Sequence, residues 1–253
     1  MRVTILGCGA SSGVPVVGCD CRVCRSSNPR NKRRRASVLV EDADTCLLVD
    51  ASPDLRAQLL DARIDRLDSI LFTHDHADHT HGIDDLRLVN RVIDHPLDAF
   101  GRAEDLAAIK ARFGYAFSPR QVAHGWYKPQ LIARPVEGPF PVGSFDIIPF
   151  AQRHGRKTTL GYRFGTIAYS TDVNEFDDDA FAALDGVLTW IVDCQSPGEN
   201  PVHGCLALVS QWIARVKPSR TVLTHMGHEM DYDRICAELP DGVELGYDGM
   251  VLT

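Results

Sequence analysis

The side chains that could do chemistry are concentrated in one stretch, residues 73–82, which reads T-H-D-H-A-D-H-T-H-G and follows an apolar β run. His74 and His76 lie two residues apart, so on an extended segment both project from the same face. Asp78 and His79 follow where the chain must turn, which lets them reach a second point close by. Imidazoles and carboxylates are ligands that Zn, Mn and Fe accept, and neither pair alone completes a coordination shell. The spacing therefore predicts two metal ions and further ligands from elsewhere in the chain.

The missing ligands are predicted at three later positions. His154, Asp172 and His225 each lie just beyond an apolar β run, as His74 does. If those strands share an orientation, their ends meet at one edge of the fold and the side chains that follow them converge. Together with the histidine cluster, these three residues predict a complete metal site.

A second candidate metal site is the segment G-C-D-C-R-V-C at residues 18–24. Cys19, Cys21 and Cys24 could supply three of the four ligands of a tetrahedral zinc site. The chain has eight cysteines, which in a reducing compartment are more typical of metal ligands or buried thiols than of disulfides. The fourth ligand could be a histidine or one of the remaining cysteines, which are Cys8, Cys46, Cys194, Cys205 and Cys236.

The elements that must position these residues follow from hydrophobic periodicity and turn signals. The predicted strands are 3–6, 38–40, 45–49, 69–72, 131–136, 145–150, 160–164, 166–169, 187–192, 221–223 and 243–245. The predicted helices are 52–61, 84–92, 104–112, 178–184, 206–216 and 232–239. Two β-rich halves, each closed by helices, fit a layered α/β fold with two facing sheets between outer helices. Within 94–130, aromatic residues among glycines and a proline could form a lid or a substrate wall.

Several polar residues outside these motifs have more than one interpretation. The basic run Arg30–Arg35 is interpreted first as the solvated flank of the following strand, although it could also attract a phosphate. Asp50 could orient a ligand histidine or form an ordinary turn at a strand end. His81 could support the metal site or cap the next helix, whereas His95 and His124 are interpreted as ordinary histidines.

Bulk composition limits the class of protein. The chain has 253 residues, of which 44% are hydrophobic and 24% charged, which suits one globular α/β domain spanning 1–253. The net charge of -7 argues against a protein that coats nucleic acid, although bound dications would still allow a small anionic substrate. No apolar run is long enough to span a membrane, and residues 1–7 are interpreted as a strand and a glycine turn rather than a signal peptide. We therefore expect a cytoplasmic protein.

The H-x-H-x-D-H motif after a strand resembles the signature of the metallo-β-lactamase superfamily. This resemblance implies an αββα sandwich and a pair of active-site metals, Zn and/or Mn. It implies that one metal is held by His74, His76 and His154, the other by Asp78, His79 and His225, with Asp172 bridging both. A hydroxide shared by the metals would then be the nucleophile, because coordination lowers the pKa of water towards about 7.

Further motifs narrow the resemblance. A bridging carboxylate is typical of the phosphodiesterases of this superfamily rather than of its β-lactam hydrolases. The glycine-rich turn, the G-V-P triplet and the G-C-D-C-x-x-C segment resemble the PhnP-type cyclic-phosphate phosphodiesterases. That resemblance implies that His228 is the fourth ligand of a structural zinc. It also implies that His203 is the general acid, with Asp78 included among the catalytic residues.

The function implied is metal-dependent hydrolysis of a small cyclic phosphodiester, such as a ribose cyclic phosphate or a 2′,3′-cyclic nucleotide. The alternatives are an RNA 3′-end processing nuclease of the same superfamily, a PqqB-like protein and, less favoured, a non-enzymatic metal-binding scaffold. The expected partner is a small phosphodiester or nucleotide substrate. No stable nucleic-acid partner and no membrane are expected, and a homodimer is possible.

Overall fold

Two seven-stranded β-sheets form the centre of the protein, in a computed structural model that describes residues 1–119 and 127–253. The first sheet has the order β14-β1-β2-β3-β4-β5-β6 and the second the order β13-β12-β11-β10-β9-β8-β7. The strands are β1 (Arg2–Gly7), β2 (Ser37–Glu41), β3 (Cys46–Val49), β4 (Ser69–Leu71), β5 (Leu97–Gly101), β6 (Leu131–Pro135), β7 (Phe140–Val142), β8 (Phe145–His154), β9 (Lys157–Phe164), β10 (Ile167–Ser170), β11 (Thr189–Asp193), β12 (Arg220–Thr224), β13 (Val243–Leu245) and β14 (Val251–Leu252).

Helices lie outside the sheets. The α-helices in the described ranges are α1 (Arg22–Arg25), α2 (Leu55–Asp61), α3 (Ala77–Thr80), α4 (Leu86–Ile93), α5 (Ala103–Arg112), α6 (Asp178–Leu184), α7 (Leu206–Val216) and α8 (Tyr232–Cys236). None of the helices in the part of the chain that the structure describes has the length and apolar character needed to cross a bilayer.

The core has two layers because the central strands are buried on both faces. Val38 and Val40 of β2 belong to the apolar cluster that the two sheets share, together with Tyr162 and Ile191 of the second sheet. Leu39, between them, points the other way into a cluster formed with α2, α4 and α5. This alternation follows from the two-residue period of a strand. The predicted αββα sandwich is therefore confirmed.

Strand direction explains why one edge of the sandwich carries the polar residues. In the first sheet β3, β4, β5 and β6 are parallel, and in the second β10, β11, β12 and β13 are parallel. The carboxyl ends of parallel strands meet at one edge of a sheet, where ligand sites commonly form. His74 follows β4, Asp172 follows β10 and His225 follows β12, so all three lie at such ends.

The sequence-based elements are largely reproduced, with differences in several strands and short helices. Helices α1 and α3 were not predicted, α2 begins at Leu55 rather than at residue 52, and α8 ends at Cys236 rather than at residue 239. Strands β5, β7 and β14 were not predicted: each has five residues or fewer, and Gly101 and Pro141 weaken the pattern. Strand β8 continues to His154 instead of ending at Phe150, because the β8–β9 hairpin pairs as far as His154 with Lys157. His154 is therefore the last residue of a strand and does not follow one.

Candidate active site and metal centres

The structure brings the predicted ligands together in two groups. One group contains His74, His76, His154 and Asp172, and the other contains Asp78, His79, Asp172 and His225. Within each group the candidate ligand atoms lie within 4.8 Å of one another. Asp172 is common to both groups, so the seven residues form one continuous cluster, the histidine–aspartate site.

Asp172 presents its two carboxylate oxygens to different groups. Oδ1 lies 3.7 Å from Nε2 of His154 and 3.9 Å from Nε2 of His74. Oδ2 lies 3.0 Å from Nε2 of His79 and 3.3 Å from Nε2 of His225. A carboxylate arranged in this way has the geometry required to bridge two cations.

Buried ring nitrogens without hydrogen-bond partners test whether metal ions fit this cluster. Nε2 of His74 and of His79, and both ring nitrogens of His225, are buried and make no hydrogen bond to the described residues. Buried polar groups are almost always paired, and leaving one unpaired costs about 1–3 kcal/mol. Buried ring nitrogens without partners, gathered beside carboxylates in two groups, are what metal ions would satisfy, so the residues fit the ions.

Asp50 sets the orientation of two of the imidazoles. Its buried carboxylate lies 2.7 Å from Nδ1 of His79 and accepts hydrogen bonds of 2.8 Å from the backbone N–H and the hydroxyl of Thr73. Because the Thr73 hydroxyl donates to Asp50, it can accept from Nδ1 of His74, 3.0 Å away. Both imidazoles then carry their proton on Nδ1, which leaves Nε2 free to bind a metal. Asp50 therefore has the orienting contact that was one of its two interpretations.

His154 is oriented in the same way by a backbone carbonyl, since its Nδ1 lies 2.7 Å from the carbonyl oxygen of Val202. His76 is exposed, and its ring centroid is 4.4 Å from that of His74 and 5.3 Å from that of His154. The first metal group is thus open to solvent at His76 and closed at His74. A substrate would approach from the side of His76.

Charge within the cluster favours cation binding. Burial alone would raise the pKa of Asp172 and of Asp78, but the neighbouring imidazoles hold both well below the ordinary carboxyl value. Burial alone would lower the pKa of His225, yet Asp172 raises it to about 9. Burial, together with His79, lowers the pKa of His74 well below its ordinary value. The carboxylates therefore stay ionised at neutral pH, which is the form that binds a metal ion.

Three residues of the site have a left-handed backbone. Asp50, Asp172 and His225 have φ angles of 63°, 52° and 55°. Such values are uncommon for residues other than glycine and cost of order 1–3 kcal/mol, so they persist only where the surroundings enforce them. Each residue directly follows a strand or lies two residues beyond one, so the sharp turn aims its side chain across the sheet edge.

His203 lies beside the cluster and is held by a residue that the sequence did not single out. Nδ1 of His203 is 2.8 Å from Oδ2 of Asp193, at the end of β11. Its ring centroid is 4.6 Å from that of His154 and 4.8 Å from that of His225. Because the carboxylate accepts the Nδ1 proton, Nε2 is the ring nitrogen left for substrate. The position of Asp193 at a strand end was the available signal, but the contact depends on the folding of the loop that carries His203.

The cysteine site is formed by Cys19, Cys21, Cys24 and His228, whose candidate ligand atoms also lie within 4.8 Å of one another. Nδ1 of His228 is 3.4 Å from the Sγ atoms of both Cys19 and Cys21. A hydrogen bond from the backbone N–H of Cys24, and then His228, lowers the pKa of Cys21 to about 6, whereas burial raises that of Cys24 to about 11. Three thiols and one imidazole in this arrangement match the ligand set of a closed, structural zinc site.

Replacing Cys21 by alanine is expected to remove about one equivalent of zinc and to destabilise the protein, because a tetrahedral site with three ligands binds weakly. Structural zinc contributes on the order of 10 kcal/mol or more in small domains, and the larger core here should reduce that figure. Metal analysis and thermal unfolding measure both effects. Cys236→Ala, which removes a thiol outside the cluster, should keep its zinc. Unchanged zinc in Cys21→Ala would contradict the assignment.

The sequence interpretations of the remaining histidines and of the basic run Arg30–Arg35 have different outcomes in the structure. His81 lies at the C-terminal end of α3, where its ring packs on Phe113 with a centroid distance of 5.5 Å, and belongs to neither metal group. His95 is exposed, with Nδ1 2.8 Å from a backbone carbonyl, and His124 lies outside the described residues. Arg33 is only 2% exposed, so the interpretation of its run as a solvated flank is wrong at that position.

Comparison with known proteins identifies the class. Residues 45–226 match the family described as "Beta-lactamase superfamily domain". This range covers most of the chain and includes all seven residues of the histidine–aspartate site. The chain therefore belongs to the beta-lactamase superfamily.

Individual relatives show which members of the superfamily this chain resembles. A structure titled a new diphosphatase from the PhnP family has a TM-score of 0.92 and 31% identity, and covers 100% of this chain and 97% of its own. The resemblance to the PhnP family is therefore confirmed. An octanoyltransferase of Porphyromonas gingivalis is 35% identical over 99% of this chain, but this chain spans only 51% of that relative's length. A coenzyme PQQ synthesis protein B of Rhodopseudomonas palustris is 46% identical over 63 residues, 24% of this chain and 20% of that protein.

Proposed function

We propose that the protein is a metal-dependent phosphodiesterase that hydrolyses a small cyclic phosphodiester, such as a ribose cyclic phosphate or a 2′,3′-cyclic nucleotide. The observation that carries the proposal is Asp172, whose two carboxylate oxygens face two separate groups of imidazoles. Such a carboxylate suits a pair of cations, and paired cations about 3.5–4 Å apart are a recurring means of hydrolysing phosphate esters.

The residues of the histidine–aspartate site would hold two divalent cations of the Zn or Mn type. Bound there, the cations would lower the pKa of a coordinated water and offset the negative charge that develops around phosphorus. The first ion would be held by His74, His76 and His154, the second by Asp78, His79 and His225, and both by Asp172. A non-enzymatic scaffold is less favoured because none of these seven ligands is replaced.

His203 would protonate the leaving oxygen. Asp193 accepts the proton on its Nδ1, so Nε2 is free to donate to an oxygen bound over the two metal groups. The alkoxide released from a ribose ring is a poor leaving group, and a positioned acid is worth about 10²–10⁴-fold for such a reaction. A diphosphate, which releases phosphate, would need this proton less, so His203 supports an alkyl phosphodiester as substrate.

Charge around the mouth of the site supports a small substrate rather than a long RNA. Two cations beside the metal-binding loop, residues 73–82, are paired: Lys157 contacts both Asp75 and Asp105, and Arg112 also contacts Asp75. The whole chain carries a net charge of -7. Binding a polynucleotide would require several unpaired Lys or Arg residues along its phosphates. We therefore favour the cyclic phosphodiester over RNA 3′-end processing.

A second candidate function is hydrolysis of an acyl thioester. One observation favours it, the 35% identity between this chain and about half of a protein named octanoyltransferase. The same ligands could activate water for attack on a carbonyl carbon. A thiolate needs no general acid to depart, so this reaction would leave His203 without a role.

A hydrolysis panel distinguishes these functions. The metal-loaded protein would be tested with a ribose cyclic phosphate, 2′,3′-cyclic AMP, bis(p-nitrophenyl) phosphate, a nucleoside diphosphate sugar, a tRNA precursor, a β-lactam and an octanoyl thioester. We expect the highest kcat/KM with a cyclic phosphodiester. A higher value for the thioester would favour the second candidate, and no phosphodiester turnover by fully metallated protein would refute the proposal.

A further inference from the structure

The buried arginine of the basic run contacts the segment that joins the two metal centres. Nη1 of Arg33 donates to the carbonyl oxygen of Gly227 at 3.1 Å. Nη2 donates to the carbonyl oxygen of Met230 at 2.5 Å and to Oδ1 of Asn31 at 3.2 Å. With only 2% of its surface exposed, the side chain lies beneath the His225–Met230 segment rather than in solvent.

The His225–Met230 segment carries one ligand of each centre. His225 belongs to the histidine–aspartate site and His228 to the cysteine site, with two residues between them. A shift of this short segment must therefore move both ligands. His225 also has a left-handed φ of 55°, which persists only where the surroundings hold it.

Other contacts hold the start of the segment, and Arg33 holds the rest. The backbone N–H of Met226 donates to the carbonyl oxygen of Cys8 at 2.8 Å, and that of Gly227 donates to the carbonyl oxygen of Gln195 at 2.8 Å. Beyond Gly227, the guanidinium spans the carbonyls of Gly227 and Met230 and so brackets His228 from both sides. A guanidinium suits this task because its fixed fork of donors can reach two carbonyls at once, which a lysine ammonium does less well.

Arg33 is also fixed to the other side of the cysteine site. Its backbone N–H and carbonyl pair with Val14, at 2.7 Å and 2.8 Å. Val14 packs in a small apolar cluster with Val23 and Cys24, the last of which is a candidate zinc ligand. Arg33 therefore contacts the segment that carries His228 directly and reaches the cysteine segment through Val14.

We propose that Arg33 is a positioning residue that couples the two metal centres by fixing the His225–Met230 segment. The inference rests on the proposed function, since it takes both clusters as metal sites. Without the guanidinium, the carbonyls of Gly227 and Met230 lose their buried partner, and the segment gains freedom to shift. The ligand atoms of His225 and His228 then spend less time in the geometry that binds metal.

Cobalt(II) binding tests the coupling because each centre has its own spectrum. Cobalt in the cysteine site gives intense thiolate-to-metal charge-transfer bands, whereas cobalt held by histidine and aspartate gives only weak visible bands. Titrations would compare the wild type with Arg33→Lys and Arg33→Met. The matched control is Arg34→Met, whose side chain instead pairs with Asp61 at 2.7 Å on the surface.

We expect both Arg33 variants to bind cobalt about 10–100-fold more weakly at both centres, the usual loss when a group that orients metal ligands is removed. Arg34→Met should match the wild type. Unchanged affinity at both centres, or weakening at one alone, would overturn the coupling. If Arg33→Met does not fold, Arg33→Lys, which keeps the buried charge, decides the question. Failure of the wild type to bind cobalt at the histidine–aspartate site would instead count against the proposed function.

Discussion

Replacing Asp172 by asparagine is expected to lower phosphodiester hydrolysis by about 10³-fold or more, equivalent to about 4 kcal/mol of transition-state stabilisation. The carboxylate has one oxygen 3.0 Å from His79 and the other 3.7 Å from His154, so it reaches both metal groups. An asparagine keeps the shape but is neutral and has a single oxygen. It can serve only one group, so we also expect about one equivalent less metal at the histidine–aspartate site.

The control for this variant is Asp75→Asn. Asp75 lies between His74 and His76 in sequence, but it is not a candidate ligand, and its carboxylate contacts Lys157 and Arg112 instead. We expect its kcat/KM to remain within about tenfold of the wild type, since an ion pair at a partly exposed site contributes little. Metal content and steady-state kinetics would be measured on both variants. An Asp172→Asn protein that binds both ions and turns over normally would show that no carboxylate bridge is needed.

The candidate ligands could be predicted from the sequence because their chemistry is local. Histidine and aspartate residues placed directly after apolar β runs indicate ligands at strand ends. The structure brings all seven candidate ligands into two groups. Their assignment as metal ligands stays a prediction until metal is measured. The αββα sandwich was predicted mainly from the resemblance to the superfamily, and the order of strands and helices was consistent with it.

The supporting residues could not be predicted in the same way. Asp193 is one of many aspartates in the sequence, and only the fold of the loop at 198–205 brings His203 within 2.8 Å of it. Arg33 looks like a solvated residue in a basic run, yet its carbonyl partners lie almost 200 residues away in sequence. Such contacts depend on tertiary structure, and neither composition nor periodicity carries that information.

The left-handed backbone of the site also could not be predicted fully from the sequence. Aspartate and histidine both tolerate a left-handed φ better than most residues, so turns at Asp50, Asp172 and His225 are compatible with the sequence, which does not by itself locate them. Nothing in the sequence indicated the φ of 55° at His225. That value is enforced by backbone pairing of Met226 with Cys8 and Ala10, which lie at the opposite end of the chain.

Replacing His203 by alanine should lower kcat for a cyclic phosphodiester by about 10²–10⁴-fold while both metal ions remain bound. The reason is that His203 is oriented by Asp193 and, although its ring lies in a group with Asp193 and His225, it belongs to neither of the two groups that contain Asp172. The loss should be much smaller with bis(p-nitrophenyl) phosphate, because p-nitrophenolate leaves without protonation. His95→Ala, which removes an exposed histidine, is the control and should leave kcat unchanged. An equal loss with both substrates would show that His203 does not act as an acid.

Asp193 extends this test, because its carboxylate should act through His203. Asp193→Asn should lower kcat in the same direction, since an amide cannot hold the Nδ1 proton of His203 as firmly as a carboxylate does at 2.8 Å. If the two residues work as one unit, the double variant should be no slower than His203→Ala alone. Because Asp193 also lies within 4.8 Å of a ring nitrogen of His225, metal content must be measured in each variant. Losses that multiply in the double variant, with metal retained, would mean that Asp193 contributes to turnover independently of His203.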